Sequence, residues 1–156
     1  MAEVPEMTEE QQSAMKEIKE KFVGNWKEYR HENVDEFFKE MGVNFFLRKL
    51  VGMSKPEMEI QVGDVDIKIS VKLPGKTDVS NLQLGKEIEN TNQQGLFLVT
   101  ASYDDGKLVT NAKPSPNSKD PNGKSVEVTR EINEEGDLIQ TFNVNGVLCK
   151  RYFNKM

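Results

Sequence analysis

Apolar and polar residues alternate in short runs along most of this chain. The stretches 58–62 and 65–71 place an apolar residue at every second position. Turn-forming pairs separate such runs at Gly63-Asp64, Asp105-Gly106, Asn122-Gly123, Glu135-Gly136 and Asn145-Gly146. Alternation indicates strands with one buried face, and Asn-Gly or Asp-Gly pairs between them indicate hairpins. The pattern predicts an antiparallel meander of about ten strands.

Two short segments with helical spacing interrupt this series after a first strand at 22–31. Asn33 is suited to begin a helix over 34–41, Gly42 breaks it, and a second apolar-periodic segment follows at 44–51. We therefore predict a helix-turn-helix lid over about 34–52, inserted after the first strand.

The first 21 residues differ in composition from the rest of the chain. Thr8 and Gln11 have capping-box spacing, and good helix formers follow as far as Lys21. Apolar residues are sparse there, so we predict a short, loosely docked helix on a flexible extension, 1–21, ahead of one barrel domain, 22–156.

Ten strands in one sheet tend to curl closed, because closure removes the exposed edges. A ten-stranded barrel is wider than the eight-stranded kind that its own side chains can fill. The predicted fold class is therefore mainly β: a ten-stranded antiparallel β-barrel with a helical lid and an interior cavity.

Composition narrows the classes of function. The net charge is −5 with no run of Lys or Arg, which disfavours nucleic acid as a partner. The N-terminus lacks the apolar segment of a secretory signal, and the single cysteine, Cys149, fits a reducing compartment. With one histidine and no metal-ligand cluster or phosphate loop, we expect a monomeric, cytoplasmic, non-enzymatic protein without metal or cofactor.

Three polar side chains occupy positions that alternation assigns to the barrel interior. The inward series are Val126, Val128, Arg130, Ile132; Leu138, Gln140, Phe142, Val144; and Val147, Cys149, Arg151, Phe153. Arginine keeps its charge, and burying it without a partner costs several kcal/mol. Two interpretations follow: Arg130 and Arg151 hold a lipid carboxylate with Gln140 orienting them, or each arginine pairs with an interior Glu or water.

Several ordered motifs then resemble the fatty-acid-binding proteins, the intracellular lipid-binding family. They are GNWK at 24–27, ENVDEF at 32–37, GVNFFLRKLVGMSKP at 42–56, LGKEIE at 84–89 and GVLCKRYF at 146–153. The resemblance spans 22–153 and implies a ten-stranded clam with a helical portal lid that carries long-chain fatty acids or retinoids without chemistry. It matches Arg130 and Arg151 to the family's two carboxylate-binding arginines, and Gln140 to a polar interior position.

The chain departs from that family at informative positions. Glu28 stands where an apolar residue is usual, and Phe153 replaces a tyrosine that helps to hold the carboxylate in many relatives. We therefore rank Arg130 above Arg151, and predict further ligand contacts at Phe153, Phe38 and Val43. The alternatives are a retinoic-acid carrier of the same fold, or a lipid-dependent module that docks on a membrane or protein through its N-terminal arm or its lid.

Overall fold

The computed structural model describes residues 7–73, 75–92 and 95–156. The described chain contains three helices, α1 (Glu9–Phe22), α2 (Val34–Glu40) and α3 (Phe45–Met53). Its strands are β1 (Gly24–Glu32), β2 (Glu57–Val62), β3 (Ile67–Leu73), β4 (Lys76–Leu82), β5 (Ile88–Asn92), β6 (Gly95–Asp104), β7 (Lys107–Pro114), β8 (Val126–Ile132), β9 (Leu138–Val144) and β10 (Val147–Lys155).

All ten strands form one antiparallel sheet in the order β4-β3-β2-β1-β10-β9-β8-β7-β6-β5. The two edge strands, β4 and β5, are joined by a side chain. Asn81 N donates to Asn90 Oδ1 at 2.9 Å, and Asn90 Nδ2 donates back to Asn81 O at 3.1 Å. The sheet is thus a nearly closed barrel, and the predicted fold class is confirmed.

Helices cover the two ends of the barrel. In an antiparallel meander, successive turns lie at alternate ends, so the β6–β7 and β9–β10 turns are at opposite ends. At the base, α1 contributes to an apolar cluster with Trp26 and Leu108. At the other end, α2 packs Val34 and Phe37 against Val144, beside the β9–β10 turn.

Helix α1 corrects two predictions. Thr8 and Gln11 form the predicted capping box, but the helix extends through Phe22, which we had placed in the first strand. The prediction of loose docking is also wrong, because Met15, Ile18 and Phe22 are buried. These few apolar residues share one helical face, so three positions suffice to dock it. Residues 1–6 of the predicted extension lie outside the described residues.

The base helix is also fixed to the first strand. Trp26 Nε1 donates to the carbonyl oxygen of Phe22, the last residue of α1, at 2.9 Å. This buried bond satisfies the indole N–H and one of the carbonyl groups at the helix end that have no partner within the helix. Trp26 therefore links α1 and the barrel wall.

The lid follows its predicted limits closely, with one correction. Asn33 does not cap α2 with its side chain; it adopts a left-handed conformation with φ 61°, and its amide donates to Leu148 O at 2.8 Å. Helix α3 exposes much of its apolar surface, including Phe46 and Met53. Within the described chain, no helix combines the length and apolar character required to cross a bilayer.

Candidate functional site

The three predicted polar side chains lie on adjacent strands. Arg130 on β8 pairs with Gln140 on β9, Gln140 pairs with Arg151 on β10, and Arg151 pairs with His31 on β1. Residues directly opposite one another in a sheet share a face. Arg130, Gln140 and Arg151 are 7%, 4% and 5% exposed, so they form a polar row on the interior wall.

Arg151 has an internal counter-ion. Its Nη1 donates to Oε1 of Glu28 at 2.6 Å, and the side chains are 6% and 0% exposed. The second oxygen, Oε2, lies 3.4 Å from His31 Nδ1. Both carboxylate oxygens of Glu28 therefore face nitrogen atoms of neighbouring side chains.

A β-bulge produces this arrangement. The register of β1 against β10 shifts between Glu28 and Arg30. An extra residue on one strand reverses the phase of the alternation beyond it. Glu28 and His31 consequently lie on the inner face although three positions separate them, while Arg30 is exposed.

Arg130 differs from Arg151 in its surroundings. With the Gln140 amide oriented so that its oxygen faces the guanidinium, Arg130 Nη2 donates to that oxygen at 2.8 Å and Nε at 3.3 Å. No carboxylate of the described residues forms an ion pair with Arg130. Burial alone lowers the pKa of the guanidinium to about 10, so the group stays charged at neutral pH.

The polar row therefore carries unbalanced charge. Arg130 and Arg151 contribute two positive charges, and Glu28 contributes one negative charge within a hydrogen-bonded pair. One positive charge is left at Arg130. A planar guanidinium in this state is suited to hold one carboxylate through paired hydrogen bonds.

The remaining predicted contacts are not members of the polar row. Phe153 is buried in the base cluster, where it pairs with Leu138 and Glu28 on the neighbouring strands. Phe38 packs against the apolar cluster that includes Phe37 at the lid end, with its ring 5.3 Å from the Phe37 ring. Val43 N donates to Phe38 O at 2.9 Å. The structure thus places Phe153 at the base and the other two at the lid.

A cavity of about 760 Å³ opens beside the lid, and its lining includes none of Arg130, Gln140 and Arg151. The turn after α2, the facing ends of β5 and β6, and the β7–β8 loop line it. Lys124 in that loop lies 3.2 Å from the Glu40 carboxylate and also donates to the Glu40 carbonyl, and Asn145 Nδ2 donates to the same carboxylate at 3.3 Å. The end of α2 is thereby held to two neighbouring loops.

Sequence reasoning missed Glu28 as a member of the site. Its signal was present: Glu28 is two residues from the buried Trp26 and therefore inward by the same alternation. The sequence marked it only as a departure from the family. Cys149 is also buried near Arg151, and burial raises the pKa of its thiol to about 11, which makes it unreactive.

Comparisons with known proteins agree with this architecture. Residues 23–155 match the model of the lipocalin / cytosolic fatty-acid binding protein family. Fatty acid-binding protein 5 of Bos taurus is 30% identical over 138 residues, covering 88% of this chain and 96% of its own. Human cellular retinoic acid-binding protein 2 is 31% identical over 136 residues, covering 85% and 96%.

Among solved structures, lipid binding protein 8 of Caenorhabditis elegans has the same fold. Its TM-score is 0.79 at 22% identity, with 88% of this chain and 96% of that chain covered. The resemblance noted from the sequence motifs is confirmed, and this chain belongs to the lipocalin / cytosolic fatty-acid binding protein family.

Proposed function

We propose that this protein carries a long-chain fatty acid inside the barrel, with the carboxylate at Arg130 and the tail along the apolar wall. The observation that carries the proposal is the buried guanidinium of Arg130, which has an amide partner but no counter-ion among the described residues. A ligand carboxylate would supply the missing charge. The names of the relatives, fatty acid-binding and retinoic acid-binding proteins, support the same ligand class.

The two parts of such a ligand have different roles. The tail contributes about 0.8 kcal/mol for each buried methylene, which gives affinity for any long chain. The head group gives selectivity, because an alcohol cannot neutralise Arg130.

The predicted site residues take distinct positions in this proposal. Gln140 orients the Arg130 guanidinium through its amide oxygen. Phe38 and Val43 contact the tail near the lid, and Phe153 forms part of the base beneath it. Arg151 acts on the ligand indirectly, because Glu28 already occupies it.

Retinoic acid is the second candidate ligand, favoured by the human retinoic acid-binding relative. It also carries one carboxylate and would use Arg130 in the same way. Competition between oleate and retinoic acid for one fluorescent fatty acid distinguishes the two. The ligand that displaces the probe at the lower concentration is the better candidate.

The proposal includes a cytoplasmic, non-catalytic carrier with transient membrane contact. Helix α3 exposes Phe45 and Phe46, and Arg48 and Lys49 lie on the same helix. An amphipathic surface of this kind binds the interface of anionic membranes. Transfer of fatty acid to anionic vesicles faster than to neutral vesicles would support this contact.

Delipidated protein and a displacement assay test the function. Arg130→Ala should weaken oleate binding roughly tenfold to a hundredfold, because a charge-assisted hydrogen bond contributes about 1.5–3 kcal/mol. Oleyl alcohol should bind nearly unchanged. Arg30→Ala is the matched control, since Arg30 is exposed on the outer face. Failure of the native protein to copurify with fatty acid and to take up the probe would reject the proposal.

A further inference from the structure

We infer that Glu28 determines the head-group specificity of the barrel interior by acting as a built-in carboxylate for Arg151. This inference rests on the proposed function, because it concerns the same ligand site. With Arg151 occupied, Arg130 is the interior arginine of the described chain left to meet a ligand, so the polar row selects lipids with one negative charge.

The geometry of the pair explains why a ligand does not displace Glu28. The 2.6 Å bond to Arg151 Nη1 joins two side chains that are almost wholly out of solvent, and the other carboxylate oxygen faces His31. A ligand carboxylate that took Arg151 would leave Glu28 charged, buried and without that partner. That exchange is unfavourable, whereas binding at Arg130 leaves the pair intact.

Charge distinguishes this role from a purely structural one. A Glu28 that only stabilised the barrel would change stability when replaced, and would not change which head group binds. A Glu28 that occupies Arg151 sets the interior charge, so Glu28→Gln raises the number of uncompensated arginines from one to two. The variant should then accept an alkyl phosphate, which carries about 1.5 to 2 negative charges at neutral pH.

The experiment measures the preference for palmitate over hexadecanol in a series of variants. Arg130→Ala should lose the preference by roughly tenfold or more, since Arg151 is occupied. Adding Glu28→Gln to Arg130→Ala should restore roughly tenfold, because Arg151 becomes available, and adding Arg151→Ala should abolish the restoration. Hexadecyl phosphate should bind Glu28→Gln roughly tenfold tighter than it binds the native protein.

Glu32→Gln is the matched control. Glu32 is on the same strand and also pairs with an arginine, Arg30, but that pair is exposed. The control should leave every preference unchanged. Circular dichroism and thermal melting show whether each variant is folded, and Glu28→Leu serves in place of Glu28→Gln where the latter does not fold.

Two results would overturn the inference. One is a palmitate preference that persists in Arg130→Ala, a variant in which the Glu28–Arg151 pair is untouched. The other is a folded double variant that fails to recover the preference. A native protein that binds palmitate no better than hexadecanol would instead reject the proposed carboxylate site, so the two failures are distinguishable.

Discussion

Replacing each interior arginine by glutamine should change stability in opposite directions. Arg130→Gln removes a buried charge and keeps an amide group near Gln140, so hydrogen bonding is retained. Arg151→Gln leaves the Glu28 carboxylate buried without its cationic partner. The same substitution, made on the two strands that flank β9, therefore distinguishes an arginine that binds a ligand from an arginine that stabilises the fold.

The magnitudes follow from the two environments. Burial lowers the pKa of Arg130 to about 10, and a change of this size corresponds to about 3 kcal/mol. Arg130 stays protonated at pH 7 in both the folded and the unfolded state, so the folded state bears the cost of the buried charge. That cost declines only as the pH rises above about 10, where the folded protein releases the proton. Allowing for imperfect packing, we expect Arg130→Gln to stabilise the ligand-free protein by about 1–3 kcal/mol.

Arg151→Gln should destabilise the protein by about 3–5 kcal/mol, the usual effect of breaking a buried ion pair. Urea denaturation of delipidated protein, followed by the fluorescence of the single tryptophan, Trp26, measures both values. For a chain of this size, a gain of 2 kcal/mol raises Tm by about 4–8 °C. Oleate should stabilise the native protein much more than it stabilises the Arg130→Gln variant.

A ligand-free Arg130→Gln protein that is clearly less stable than the native one would refute this reasoning. It would mean that contacts within the protein compensate the buried charge of Arg130. An Arg151→Gln protein of native stability would show that the Glu28 pair is not closed in solution. Arg30→Gln, on the outer face, controls for the change in side-chain type.

Three further predictions concern the base helix, pH and the thiol. Ile18→Ala should lower the free energy of unfolding by about 2–5 kcal/mol, whereas Lys16→Ala, at an exposed position, should change it by less than about 0.5 kcal/mol. Thermal denaturation compares the two variants, and equal effects would contradict docking of α1. Calorimetry should show that fatty-acid affinity falls only above about pH 10, where Arg130 of the ligand-free protein loses its proton. A bound carboxylate raises the pKa of Arg130 further, so binding favours the protonated form. A fall in affinity between pH 7 and 9 would contradict this prediction. Cys149 should react with a disulfide reagent at pH 8 roughly a hundredfold more slowly than a free thiol, because burial raises its pKa to about 11, and denaturant should remove the difference.

The barrel was predictable because its signal is local. Alternation with period two, and the turn pairs between runs, depend on residues within ten positions of one another, and the structure has the strands where they indicate. Helix α1 was misjudged for the same reason. Its three inward residues are few, and their burial depends on residues such as Leu108, which is far outside that window of ten positions.

The candidate site was predicted in part. Alternation identified Arg130, Gln140 and Arg151 as inward residues, and the structure places them in one row. It could not identify the partner of each arginine, because Glu28 reaches Arg151 across 123 positions of sequence. The bulge that brings His31 to the same face is likewise invisible to a strict period of two.

The two ends of the barrel differ in how strongly their coverings are attached. Three fully or nearly buried side chains hold α1 in place, whereas α3 has half or more of Phe45, Phe46, Leu47, Leu50 and Met53 in solvent. Opening the α3 end therefore costs far less free energy than opening the α1 end, and amide hydrogens of α3 should exchange with deuterium much sooner. For the proposed carrier we therefore expect entry and exit through the same end, so that a cargo entering head first reverses its path to leave.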